Sequence, residues 1–233
     1  MNVLSTTRAA ASTAILVFGL LHCVAQQSPE RPVATLSWLL SYDSTRHAGA
    51  NAKVLQSDPR FRALLRRSLP QPALFLPGDR SVGNAAEDFI GEKPVVLQDR
   101  YMTIDGCVRH MCPELEGFLW IDTASAHSDI IFAALVAIPN GKADAVQLQL
   151  FHLWVFSSRP TSQSFMFENS EFLPDMFLYP LQDWFDKLSG RRIASVMFVG
   201  SDGRMKPLLP SALHLSGDSG QPHEKQDVQL GEQ

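Results

Sequence analysis

"VVLQDRYMTIDGCVRHMCPELEGFLWIDTA", Val95–Ala124, is the stretch on which the fold turns. Its first part, "VVLQDRYMTIDG", holds two short runs of β-branched and aromatic residues separated by a turn near Gln98–Arg100. Its last part, "GFLWIDTA", has the same character. Between them "DGCVRHMCPE" breaks the pattern with glycine, proline and two cysteines five positions apart. The spacing predicts extended strands connected through a polar, cysteine-bearing loop. Downstream, "DIIFAALVAIP" and "AVQLQLFHLWVFSS" continue the strand series, with "PNGKAD" as a hairpin turn between them. In the second of these, Val146, Leu148, Leu150, His152, Trp154 and Phe156 share one face. The other face begins polar at Gln147 and Gln149 and becomes apolar at Phe151, Leu153 and Val155. That pattern suits a strand half-exposed at its start and buried on both sides later.

Helical periodicity flanks this β-rich centre. "SDPRFRALLRRSLP" offers Asp58 as N-cap, Pro59 at the first helical position, and Phe61, Leu64, Leu65 and Leu69 on one face. Its four arginines read as the solvated side of an amphipathic helix. "YPLQDWFDKLSGRR" predicts a second helix opened by Pro180, with Leu181, Trp184, Phe185 and Leu188 as its stripe and Gly190 just past its end. "ATLSWLLSY" is apolar but of undetermined type, and "LPGDRSVGNAAEDFIGEKP" reads as loop. "IASVMFVGSDGRMKPL" predicts a final hairpin turning at Ser201–Gly203. The fold class expected is α+β, an antiparallel sheet packed with two or three helices in a single domain over residues 26–215. Residues 216–233 are polar and aperiodic, the composition of a disordered tail.

The first 25 residues differ from the rest. Arg8 is their only charged residue, "AAASTAILVFGLL" is a short apolar run, and Cys23 and Ala25 supply a small-x-small end. This is the pattern of a secretory signal peptide; the run is shorter than the ~20 residues that span a bilayer. The expected location is periplasmic or secreted, with no membrane span in the mature chain. Cleavage takes the net charge from −4 to −5 and removes Cys23, leaving Cys107 and Cys112. In an oxidising compartment two cysteines this close are expected to pair. A net negative chain excludes a strongly basic nucleic-acid-binding surface as its theme.

The chemistry open to "CVRHMC" can be narrowed. A closed zinc site wants four ligands, and His127 and His152 stand alone in the sequence, so no metal is expected. A redox pair would favour C-x-x-C at a helix start, not C-x₄-C followed by proline. No G-x-S-x-G elbow and no glycine-rich phosphate loop is present, Glu114 and Glu116 read as solvated charges, and neither an enzyme nor a cofactor is expected. What remains is a disulfide-closed ring. A ring of about six residues contributes only ~2 kcal/mol in the chain-entropy picture, against nearly 5 for a loop of about a hundred. Such a ring fixes local shape and presents Arg109 and His110 outward. By itself it leaves a recognition loop and a simple stapled turn equally open.

The C-x-x-H-x-C pattern resembles the Ivy family, the inhibitors of vertebrate lysozyme, whose motif is a bridged "CKPHDC" loop. The similarity runs from about Leu55 to Ile138: a helix ending in "LP", strands into the loop, and return strands in "GFLWIDTA" and "IIFAAL". The resemblance implies a protein partner, a lysozyme or related glycan hydrolase, whose cleft is blocked by the loop Cys107, Val108, Arg109, His110, Met111 and Cys112, with a Cys107–Cys112 bridge. His110 matches the family's inserting histidine. An imidazole can hydrogen-bond to either of lysozyme's two catalytic carboxyl groups. Arg109 stands where the family has proline, Met111 where it has aspartate, and the segment after Ile138 has no family counterpart. The alternatives are an envelope binding module on the same scaffold with another partner, and a small enzyme or metal carrier using His110 with distant residues. A homodimer is compatible with the sequence.

Overall fold

The computed structural model describes residues 36–47, 51–91, 93–124, 129–138, 150–160, 173–188 and 191–215, all within the compact unit Ala34–Gln233. The signal-peptide segment, the "PNGKAD" turn, Gly190, His127 and the tail from residue 216 lie outside them.

A 3-10 helix, Leu36–Tyr42, precedes helices α1 (Ala52–Ser57) and α2 (Pro59–Ser68). Asp58 ends one and starts the next. Its carboxylate accepts the Arg60 backbone N–H at 2.8 Å, as an N-cap should, and also the Tyr42 hydroxyl at 2.8 Å. Hydrogen bonding to the Arg60 guanidinium holds this carboxyl well below the usual aspartate range. Phe61, Leu64 and Leu65 are buried as their spacing predicts, each contributing about 2 kcal/mol relative to exposure. Helix α3 (Val82–Phe89) lies inside the stretch that reads as loop. Ser81 caps it, its hydroxyl accepting from Asn84 N. Gly83 gives that stretch its loop-like look, yet it serves packing: a Cβ there would stand 2.5 Å from the Leu65 carbonyl oxygen of α2.

Among the described residues, seven strands form one sheet in sequence order: β1 (Val96–Gln98), β2 (Tyr101–Cys107), β3 (Leu115–Asp122), β4 (Ile130–Ala137), β5 (Leu150–Ser157), β6 (Arg192–Val199) and β7 (Met205–Leu208). Neighbours are antiparallel except β5 and β6, which run parallel. A parallel pair needs a crossover, and the segment carrying helix α4 (Asp175–Asp186) provides it. The α+β layout therefore holds, with four α-helices rather than two or three among the described residues and one parallel pairing in the sheet. Helix α4 begins five residues before Pro180, which sits inside it, and Pro174 is its N-cap. Leu181, Trp184 and Phe185 are buried as expected, joined by Phe177 and Leu178.

The sheet is covered on both faces. Met102, Ile104, Leu119, Ile121, Phe132 and Phe156 pack with α1, α2 and α3; Phe118, Trp120, Ile131, Leu153, Val155 and Phe198 pack with α4. Strand β3 is buried along its whole length, which is why its apolar run is nearly continuous. Strand β5 passes from exposed at Leu150 to buried at Val155–Ser157, following the two-stage pattern of its sequence.

Candidate functional site

The cysteine loop is the connection of the β2–β3 hairpin. Cys107 opposes Glu116 as the last register pair, and Val108 N donates to Leu115 O at 3.0 Å to close the ladder. Beyond this point the chain turns back within four residues, Met111 N donating to Val108 O at 2.9 Å. His110 occupies the third position of that turn with φ 67°, the signature of a type II turn. Positive φ costs most side chains; histidine tolerates it better than branched residues do. Met111 O then accepts from both Glu114 N and Leu115 N, at 3.0 and 2.8 Å, which returns the chain to β3. Cys107 and Cys112 form the disulfide, with their Cα atoms 4.8 Å apart.

Of the six residues read as a site, Arg109, His110, Met111 and Cys112 are exposed. Val108 and Cys107 are half-buried, and Val108 packs against the core layer under the loop. Among the described residues the Arg109 and His110 side chains have no hydrogen-bond partner, so their donors are available to a ligand.

The root of the loop is held from both faces of the sheet. On one face the end of α3 lies directly on β2: a Cβ at Gly106 would stand 2.5 Å from the Ile90 carbonyl carbon and oxygen. The Gln56 side chain of α1 in turn donates to the Glu87 and Gly91 carbonyls, at 2.8 and 3.2 Å, fixing that helix end. On the other face Glu116 pairs with Arg191, whose guanidinium also lies over the Phe151 ring at 5.5 Å to its centroid. Burial pushes the Glu116 carboxyl above the usual glutamate range, and the Arg191 charge opposes the push. Glu116 is therefore not the solvated charge its proximity to Glu114 suggests: Glu114 is exposed, while Glu116 is buried and ion-paired. The signals for this rigid root were the glycines at 106 and 117, just outside the loop; the partner Arg191 lies too far along the chain to be inferred.

His152, isolated in the sequence, shares a 2.7 Å hydrogen bond between Nδ1 and Ser195 Oγ at the bulge where β5 and β6 change register. It ties the parallel pair together. Among the described residues no three His, Cys, Asp or Glu side chains converge as metal ligands would.

The site is thus a short, covalently closed turn that offers an arginine and a histidine on a fixed base. Compared with protein-family models, with curated proteins and with solved structures, the chain matches none.

Proposed function

We propose that the chain is a periplasmic or secreted binding protein that blocks a lysozyme or related glycan hydrolase by inserting the Cys107–Cys112 loop into its cleft. The observation that carries this reading is the outward turn itself, which sets Arg109 and His110 at the tip of a disulfide-closed hairpin anchored on both faces of the sheet. A loop already held in one shape loses little conformational freedom on binding. His110 at the tip would meet the two carboxyl groups on which such hydrolases depend, donating to one or, as imidazolium, to both. Arg109 occupies the second turn position, where proline is the favoured residue of a type II turn. The family's proline at that position is compatible with the same backbone. A closed disulfide fits the oxidising compartment that the N-terminal segment suggests.

The test is inhibition by the purified, oxidised protein of animal lysozymes and of bacterial glycan hydrolases. His110→Ala is expected to weaken inhibition about 30-fold, the scale of an interface hot spot. Cys107→Ser/Cys112→Ser should weaken it as well. Absence of inhibition by the wild type across both enzyme groups sinks this reading. A second reading, the same loop directed at a different envelope protein, is favoured by Met111, which is 43% exposed and apolar where the family carries an acid. Capture of a non-hydrolase partner that His110→Ala abolishes would support it instead.

A further inference from the structure

Apart from the disulfide, the restraints on the cysteine loop lie at its root or pass through one residue. At the root, Gly106 lies against the end of α3, Val108 N donates to Leu115 O, and Glu114 O accepts from Ala137 N at 2.8 Å. Between these points every backbone hydrogen bond among the described residues involves Met111, which donates to Val108 O and accepts from Glu114 N and Leu115 N. Arg109, His110, Cys112 and Pro113 make none among the described residues. His110 holds φ 67°, a left-handed conformation that L side chains disfavour. The two cysteines are also unequal. Cys107 is half-buried, ends β2 and is opposed by Glu116. Cys112 is exposed and lies outside any strand. Neither belongs to the apolar layers on the two faces of the sheet.

A bridge that closes about six residues constrains the unfolded chain little, because closure entropy grows with ring length. The converse also holds: the native fold favours this bridge over its open form by no more than that small amount. Opening it removes neither core nor strand ladder. It removes the covalent closure around the left-handed His110. From the exposed Cys112, the anchored Cys107 and the ring's dependence on Met111 alone, we propose that the loop is a redox switch. Oxidised, it presents Arg109 and His110 in one shape; reduced, it opens while the fold stays. The reductant is of the protein-dithiol class. One of its thiolates attacks the exposed Cys112 sulfur, and the Cys107 sulfur leaves with the bonding electron pair and takes a proton. The dithiol's second thiolate attacks its own sulfur in the mixed disulfide, and Cys112 leaves as the second thiol. The chain gains two electrons and two protons, and the reductant ends as its internal disulfide. The change of shape rests on the loop's geometry alone; its effect on a partner rests on the binding reading proposed above.

The experiment treats the folded, oxidised protein, without denaturant, with reduced thioredoxin. Alkylation and mass measurement count the thiols released, and amide hydrogen exchange follows the loop and the sheet. A gain of two thiols per chain is expected. A thioredoxin variant lacking its second cysteine should be trapped as a mixed disulfide on Cys112. Exchange across residues 108–114 should speed up about tenfold or more on reduction, with β3 and β4 unchanged, and oxidised glutathione should restore the slow rate. A bridge that resists thioredoxin in the folded protein overturns the proposal. So does loop exchange that reduction leaves unaltered, or faster exchange that spreads through β3 and β4, which would make the bridge a staple of the fold. In the lysozyme assay the reduced form should inhibit about tenfold less than the oxidised form, or weaker still. Equal inhibition by the two forms overturns the switch and leaves the inhibitor reading standing. No inhibition by the oxidised form ends the inhibitor reading, and the trapping and exchange results then decide the switch by themselves.

Discussion

Gly106→Ala tests the claim that the loop stands on a rigid base. The added methyl would lie 2.5 Å from the Ile90 carbonyl carbon and oxygen and 2.8 Å from the Phe89 oxygen. Ordinary carbon contacts sit at about 3.5–4.0 Å, so the end of α3 and strand β2 must separate by roughly 1 Å. The obstacle is main chain, and no side-chain rotation relieves it. Strand β2 is held on both sides by β1 and β3, and the α3 terminus is held by Gln56. Overpacking a core layer costs about 1–3 kcal/mol, and backbone against backbone belongs at the upper end, about 3. Gly203→Ala provides the reference. Gly203 has φ +73° in the β6–β7 turn and nothing within 4 Å, so an alanine there pays for left-handed backbone alone, about 1 kcal/mol. Urea unfolding with the disulfide intact measures both, the midpoint moving and the slope staying constant. A loss at Gly106 no larger than that at Gly203 would refute the direct seating of α3 on β2. Because the strain is introduced one residue before Cys107, Gly106→Ala should also weaken whatever the loop binds.

Other substitutions probe the same site and its surroundings. Arg109→Pro should stabilise the chain by about 0.5–1 kcal/mol in the same assay, because proline suits the second turn position and the Arg109 N–H donates to no backbone carbonyl among the described residues. Arg191→Ala leaves the Glu116 carboxylate buried without its partner and should cost about 3 kcal/mol at neutral pH. Its pH dependence has a definite sign. The folded Glu116 already holds its proton more tightly than the unfolded chain does, and loss of Arg191 strengthens that grip. The variant's stability should therefore fall as pH rises from about 4 toward 7, and a deficit that is flat across that range would contradict the assignment. Asp58→Asn keeps a capping oxygen but loses the charge, so it should cost about 1 kcal/mol at neutral pH. Asp58 is held low in the folded state, so its contribution is present above the unfolded aspartate pKa, about 4, and lost as pH falls; the wild-type and Asp58→Asn stabilities should converge in acid.

How legible a feature was in the sequence depended on how local its cause is. The α2 start was legible because Asp58 and Pro59 determine it within one turn. Strands β2, β3 and β4 were legible because their apolar runs are short and bounded. Helix α3 was not, since Gly83 meets a demand made by Leu65, and a residue chosen for close approach looks like one chosen for a turn. The parallel direction of β5 and β6 was hidden because alternation reports which side chains are buried, not which way a neighbour runs. Pro180 read as a helix start because proline is common there, whereas the packing of Phe177 and Leu178 extends the helix through it. At the site, the ring and its exposed tip were readable from cysteine spacing. The Glu116–Arg191 pair was not, because it joins residues that only the finished sheet brings together.

The parallel pairing of β5 with β6 divides the sheet by the order in which it can assemble. From β1 to β5 each strand joins the one before it in the chain, so those contacts close early. Strand β6 can pair only after the crossover through α4 has been ordered, a larger entropic step. The β6–β7 hairpin is thus expected to dock late and to open first under native conditions, with its amides exchanging ahead of those in β3 and β4. The cysteine loop belongs to the early-closing, slow-opening portion. Arg191 reaches Glu116 from the margin of the late portion, so partial opening would free the carboxylate beneath the loop while leaving the hairpin itself intact.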